Sequence, residues 1–173
     1  MRNFQGRGFQ LRTASLEIRV AYTGFLVLMV PGVVSLLVLS LGRVGLAPDA
    51  IAAYYRGGDG EMSFPRTFWQ LLEVSHFHLF SVPVVVLILS HLLYAAVASP
   101  RLRMGLTIVT FAGALLEISG PWAVRYLAGG FAYALLAGWL LLGGGMTLII
   151  LLTLLAMWRP EPPEDDAGEG GRS

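Results

Sequence analysis

Four long apolar runs separated by polar breaks organise this chain, at about 20–41, 77–98, 105–126 and 131–158. A bilayer core demands roughly 20 apolar residues in a helix, and each run reaches that length. The last is long enough to span with a tilt. The pattern predicts an all-α protein: an integral membrane four-helix bundle over 20–158, with one extramembrane loop, 42–76, between helices 1 and 2.

The breaks carry their own signals. The basic lead-in, 1–19, interleaves Phe4, Phe9, Leu11 and Leu16 with polar residues. It suits a short amphipathic segment on the membrane surface or a disordered arm. The first run is too long for a cleaved signal peptide and no small-x-small site follows it, so a retained helix is expected. Pro160, Pro162, Pro163 and an acidic-glycine run make 159–173 a disordered acidic tail.

In the loop, Pro48, Tyr54-Tyr55 and Gly57-Gly58-Asp59-Gly60 predict a turn-rich stretch over 42–60, packed on the outer face of the bundle. Pro65 suits the first turn of a helix, and Phe68-Trp69 are interface anchors. A helix starting near Pro65 either lies at the interface or runs on into the second span. Pro83 removes a backbone donor inside that span, so a kink is expected there. Gly113, the Ala134-x-x-x-Gly138 pair and Gly143-Gly144-Gly145 predict close helix packing, and a glycine groove also admits a flat macrocycle.

Composition agrees with membrane residence: 55% of residues are hydrophobic and the mean hydropathy is +0.68. The formal charge of +1 matters less than its distribution, and all twelve basic residues are arginine. Arg2, Arg7, Arg12 and Arg19 precede the first span, and Arg101 and Arg103 lie in the turn between the second and third. On the other side Arg43, Arg56, Arg66 and Arg125 are diluted by Asp49, Asp59 and Glu61. The positive-inside rule then places both termini in the cytoplasm and the long loop outside. The alanine, glycine and arginine bias suggests a GC-rich genome, hence a bacterial cytoplasmic (inner) membrane.

Several chemistries are excluded or unsupported. Without cysteine there are no disulfides, thiolate metal sites, iron–sulfur clusters or covalently attached haem c. No nucleotide-binding glycine loop, Ser-x-x-Lys, Gly-x-Ser-x-Gly or His-Glu-x-x-His element is present. The scattered arginines sit at membrane ends and do not suggest a nucleic-acid partner. Proton conduction would need ionisable groups at several depths, and only Glu117 and His91 qualify.

What remains is Glu73-Val-Ser-His76-Phe-His78-Leu-Phe, which leads into the second span carrying His91. All three histidines lie within these nineteen residues. At about 100° per residue, Glu73 and His91 share a face, His76 lies about 60° away, and His78 points nearly opposite His91. His91 is about 20 Å deeper than His78 by helical rise. His76, His78 and His91 are thus candidate ligands at two depths.

Residues 70–95 resemble the membrane b-type cytochromes, in which two histidines thirteen or fourteen residues apart on one helix hold haems near opposite faces. His78 and His91 have that separation. The Ser-His76-Phe-His78-Leu start also resembles the histidine-led second helix of small proteins related to the haem–copper oxidase catalytic subunit. The resemblance implies haem b and electron transfer, as a carrier or a subunit of a respiratory complex. In those families a partner helix supplies opposing histidines, which this chain lacks. A homodimer, another membrane subunit, or Met29 or Met146 would have to provide the second ligand.

Two alternatives stand beside this. Glu73, His76, His78 and Glu117 form a candidate outer-face metal site, whose nitrogen and oxygen donors suit zinc, copper(II) or iron. Alternatively the chain is a non-catalytic structural or assembly subunit that works by lateral contact within the bilayer, with no cofactor or at most that outer-face metal.

Overall fold

The computed structural model describes residues 10–58 and 64–160. Positions 1–9 of the basic lead-in, 59–63 of the loop and 161–173 of the acidic tail lie outside the described residues. The expectations of a disordered acidic tail and of a surface-lying arm therefore concern residues largely outside that range. The remainder is helical, in the order α1 (Leu16–Arg43), α2 (Pro48–Arg56), α3 (Phe68–Ala96), α4 (Pro100–Tyr126) and α5 (Ala132–Met157). Helices α1, α3, α4 and α5 are each long and apolar enough to cross a membrane, so the four-span bundle stands.

The loop between the first two spans is more ordered than its turn residues suggest. Pro48 occupies the first turn of α2, where a missing N–H costs nothing. Ala50, Ala52 and Ala53 favour the helix that follows. Ile51 is fully buried against Val124, Ala132 and Leu135, which fixes α2 on the ends of α4 and α5. Gly57, at φ +82°, terminates it, a conformation that favours glycine.

The second span does not begin at Pro65. Thr67 caps α3: its hydroxyl accepts from the Gln70 N–H at 3.2 Å, and the Gln70 side chain accepts from the Thr67 N–H at 3.0 Å. Of the two arrangements open for this segment, the helix runs continuously into the span, through Pro83 to Ala96.

Helices α4 and α5 form the most extensive pair, and α3 packs on both. Lipid removes the hydrophobic drive between spans, so close backbone approach must supply the attraction. Glycine permits it at Gly113 and Gly120 on α4 and at Gly138 and Gly145 on α5. A Cβ added at any of these would collide with the opposite helix. Gly143 and Gly144 of the anticipated small-residue face meet nothing within 4 Å.

Tryptophan hydrogen bonds pin the two ends. Trp122 Nε1 donates to Ser75 Oγ at 2.7 Å, tying α4 to α3, and Trp158 Nε1 donates to Thr23 Oγ1 at 2.9 Å, tying α5 to α1. Otherwise α1 is loosely held. It packs chiefly on α5, and Leu26 is its one buried residue. Leu11, in a short 3-10 turn, is fully buried against the ends of α3 and α5, fastening the chain before α1 to the bundle.

Candidate functional site

The candidate residues fall on opposite sides of α3. Glu73, His76 and His91 lie along one exposed stripe, as the 100° step requires, and the His76 ring meets Phe80 edge-on with centroids 5.3 Å apart. His78 points the other way, half-buried, toward α4. There its Nδ1 lies 3.0 Å from Glu117 Oε1.

The four residues considered for a metal, Glu73, His76, His78 and Glu117, are therefore not gathered. Only His78 and Glu117 meet, and no group of three His, Cys, Asp or Glu side chains that could hold a metal occurs among the described residues. Likewise His78 and His91, the two-level pair, face away from each other across α3.

Glu117 is placed by close packing. At Gly138 the backbone of α5 comes so near that an added Cβ would lie 2.9 Å from Glu117 N. This contact sets the height and rotation of α4 where the carboxylate leaves it. The pair lies about 15 Å along α3 from Phe68, by the ~1.5 Å rise per residue. Glu117 is 6% exposed, and its Oε2 has no hydrogen-bond partner among the described residues. A carboxylate so enclosed is costly unless paired, so the bond to His78 has a structural reason as well as a chemical one.

Chemically, the bond divides the two imidazole nitrogens. An ionised Glu117 can only accept, so Nδ1 carries the hydrogen. In the neutral ring Nε2 is then left with a free lone pair, its orientation held from behind by the carboxylate.

The pair borders a cleft of about 200 Å³ between α1 and α3. Met29 and Gly32 of α1, Val82 and Val85 of α3, and Leu142 and Met146 of α5 make its wall almost wholly apolar. Ser81 is no free polar group, because its hydroxyl donates to the Phe77 carbonyl at 2.9 Å. Both methionines considered as second ligands thus border the same cleft as His78. Gly32 meets nothing within 4 Å of where a Cβ would stand, so α1 stands off from the site rather than sealing it.

Sequence reasoning named both members of the pair but placed them in a larger cluster. It missed Gly120 and Leu11, whose neighbours are distant in the chain. A heptad search would have found one of these, since 113 and 120, like 138 and 145, are seven apart.

In a comparison with known protein families, residues 45–164 fit one described as a transmembrane helical domain, Aq_1264_TM. No curated protein and no solved structure matches the chain.

Proposed function

The chain belongs to that transmembrane helical domain family, and with this multi-pass membrane frame as premise we propose that it is a redox subunit holding one haem b at His78. It resides in the cytoplasmic membrane of a bacterium, with both termini inside. The observation that carries the reading is the 3.0 Å contact between His78 Nδ1 and Glu117 Oε1. It leaves Nε2 as the available donor in an apolar cleft that also holds two thioethers.

The donor set fits one low-spin haem: an imidazole from His78 and a sulfur from Met29 or Met146. When bound, the haem supplies one-electron chemistry. Glu117 would fix the ring tautomer and orientation of His78. The apolar wall keeps water from the group. The cleft's volume lies below the ~300–1,000 Å³ usual for ligand sites, so a haem would extend beyond it between α1 and α3. His76 and His91 lie on the outward stripe, so a haem at either would need a ligand from a second copy or another membrane subunit. A zinc, copper or iron site would need ligands beyond the pair that this chain brings together.

A second reading, a non-catalytic assembly subunit, is favoured by one observation. The outward stripe of α3 carries Glu73, His76 and His91 among large apolar side chains, and polar groups on a lipid-facing surface suit contact with another membrane subunit or a second copy.

A dithionite-reduced minus oxidised spectrum of the full chain, made with ample haem, separates the two. Sharp α and Soret bands are expected from the redox subunit. A flat spectrum overturns that reading and leaves the assembly subunit.

A further inference from the structure

At the end of the bundle where the chain starts and finishes, a cavity of about 660 Å³ opens between the end of α3, the start of α4 and the end of α5. Arg12, Arg103 and Arg159 line it beside Ala95, Leu152 and the largely exposed Leu155. We propose that this cavity is a binding site for a phosphate-bearing anion, the headgroup of an anionic phospholipid whose acyl chain lies along these apolar side chains.

Three observations converge on it. First, among the described residues arginine outnumbers carboxylate at this end: Arg12, Arg19, Arg101, Arg103 and Arg159 share it with Glu17. Second, two of the arginines lining the cavity are uncommitted. Arg19 lies over the Trp158 ring, 4.8 Å from its centroid, and Arg103 donates to the Tyr94 carbonyl at 2.7 Å. No hydrogen bond or ion pair engages Arg12 or Arg159 among the described residues.

Third, the site is built rather than incidental. Leu11 is fully buried beneath α3 and α5, so it holds the neighbouring Arg12 at the cavity against the entropy of a free arm. The bond from Arg103 to Tyr94 likewise fixes one guanidinium beside the cavity while leaving its other N–H groups free to donate. Guanidinium forks match phosphate oxygens, and the apolar side chains that share the cavity with them match a lipid better than a fully hydrated ion.

The test uses the full chain, purified in neutral detergent and stripped of lipid. It is then presented with vesicles of zwitterionic lipid, with and without an anionic phosphoglycerol lipid, or with inorganic phosphate. Retained lipid is counted by native mass spectrometry. The wild type should keep the anionic lipid selectively. Arg12→Gln with Arg159→Gln should weaken that retention about thirtyfold, at roughly fivefold per arginine near a charged surface.

Arg101→Gln, an exposed change at the same end but off the cavity, should leave retention unchanged. Competition by millimolar inorganic phosphate would identify the source as a free phosphate, and its failure to compete would identify the lipid. Equal retention of zwitterionic and anionic lipid overturns the proposal. So does an equal loss from Arg101→Gln, which would reduce the effect to general surface charge.

Discussion

Replacing Gly138 by alanine tests how the glycine contacts of α4 and α5 position the site. The added Cβ would stand 2.8 Å from Leu116 Cβ, 2.9 Å from Glu117 N and 3.0 Å from Leu116 C. Carbon atoms pack best at about 3.5–4.0 Å, so the helices must separate locally by about 0.5–1 Å. Two of those three atoms are backbone, which no side-chain rotation can move. Overpacking of this kind costs about 1–3 kcal/mol, offset by about 1 kcal/mol from the better helix propensity of alanine. A net loss of up to about 2 kcal/mol is expected.

The displacement also falls on the residue that carries the carboxylate. It would stretch the 3.0 Å contact with His78 toward the ~3.5 Å limit of a hydrogen bond. Unfolding of the full chain, followed by circular dichroism as SDS is added to mixed micelles, measures the stability. Gly144→Ala is the matched control, because nothing lies within 4 Å of its new Cβ, and it should gain up to about 1 kcal/mol. If Gly138→Ala is as stable as Gly144→Ala, the close approach of α4 and α5 at Glu117 is refuted.

Other consequences are simpler to measure. A double-mutant cycle with His78→Ala and Glu117→Ala should give a coupling of about 1 kcal/mol, in the range of hydrogen bonds within membranes, whereas independent side chains would give none. Thr67→Ala removes the cap of α3 and should cost about 1 kcal/mol in the same unfolding assay. Burial pushes the Tyr55 phenol above its ordinary pKa, reinforced by Tyr54 and Glu117 and opposed by Arg66. The folded chain thus favours the protonated phenol, so this contribution is whole below the unfolded value near ~10 and is lost as pH rises beyond it. Stability should fall in alkali more steeply for the wild type than for Tyr55→Phe.

The four spans were legible in the sequence because the bilayer imposes a length and a composition on each helix separately. Their ends were less so. Thr67 and Gln70 fix the start of α3 through a local reciprocal cap, yet Pro65 nearby gave the stronger one-residue signal. Helix α2 was obscured by Gly57-Gly58 and the paired tyrosines. What makes it a helix in place is Ile51 reaching Val124, Ala132 and Leu135, contacts far away in sequence. Within one helix, rotation was readable: Glu73 and His91 do share a face, with His78 opposite. Between helices it was not. Which residue of α4 meets His78 depends on the relative rotation and height of two spans, set by contacts such as Gly138 on Glu117 and Trp122 on Ser75. Glu117 was therefore recognisable as a polar residue needing a partner, while its pairing with His78 alone was not.

The most direct test of the central claim compares the reduced minus oxidised spectra of His78→Ala and His91→Ala, each made with ample haem. The α and Soret bands should vanish with His78→Ala and persist with His91→Ala. Bands that survive the loss of His78 and disappear with His91 would contradict the claim, moving the ligand to the outward face of α3.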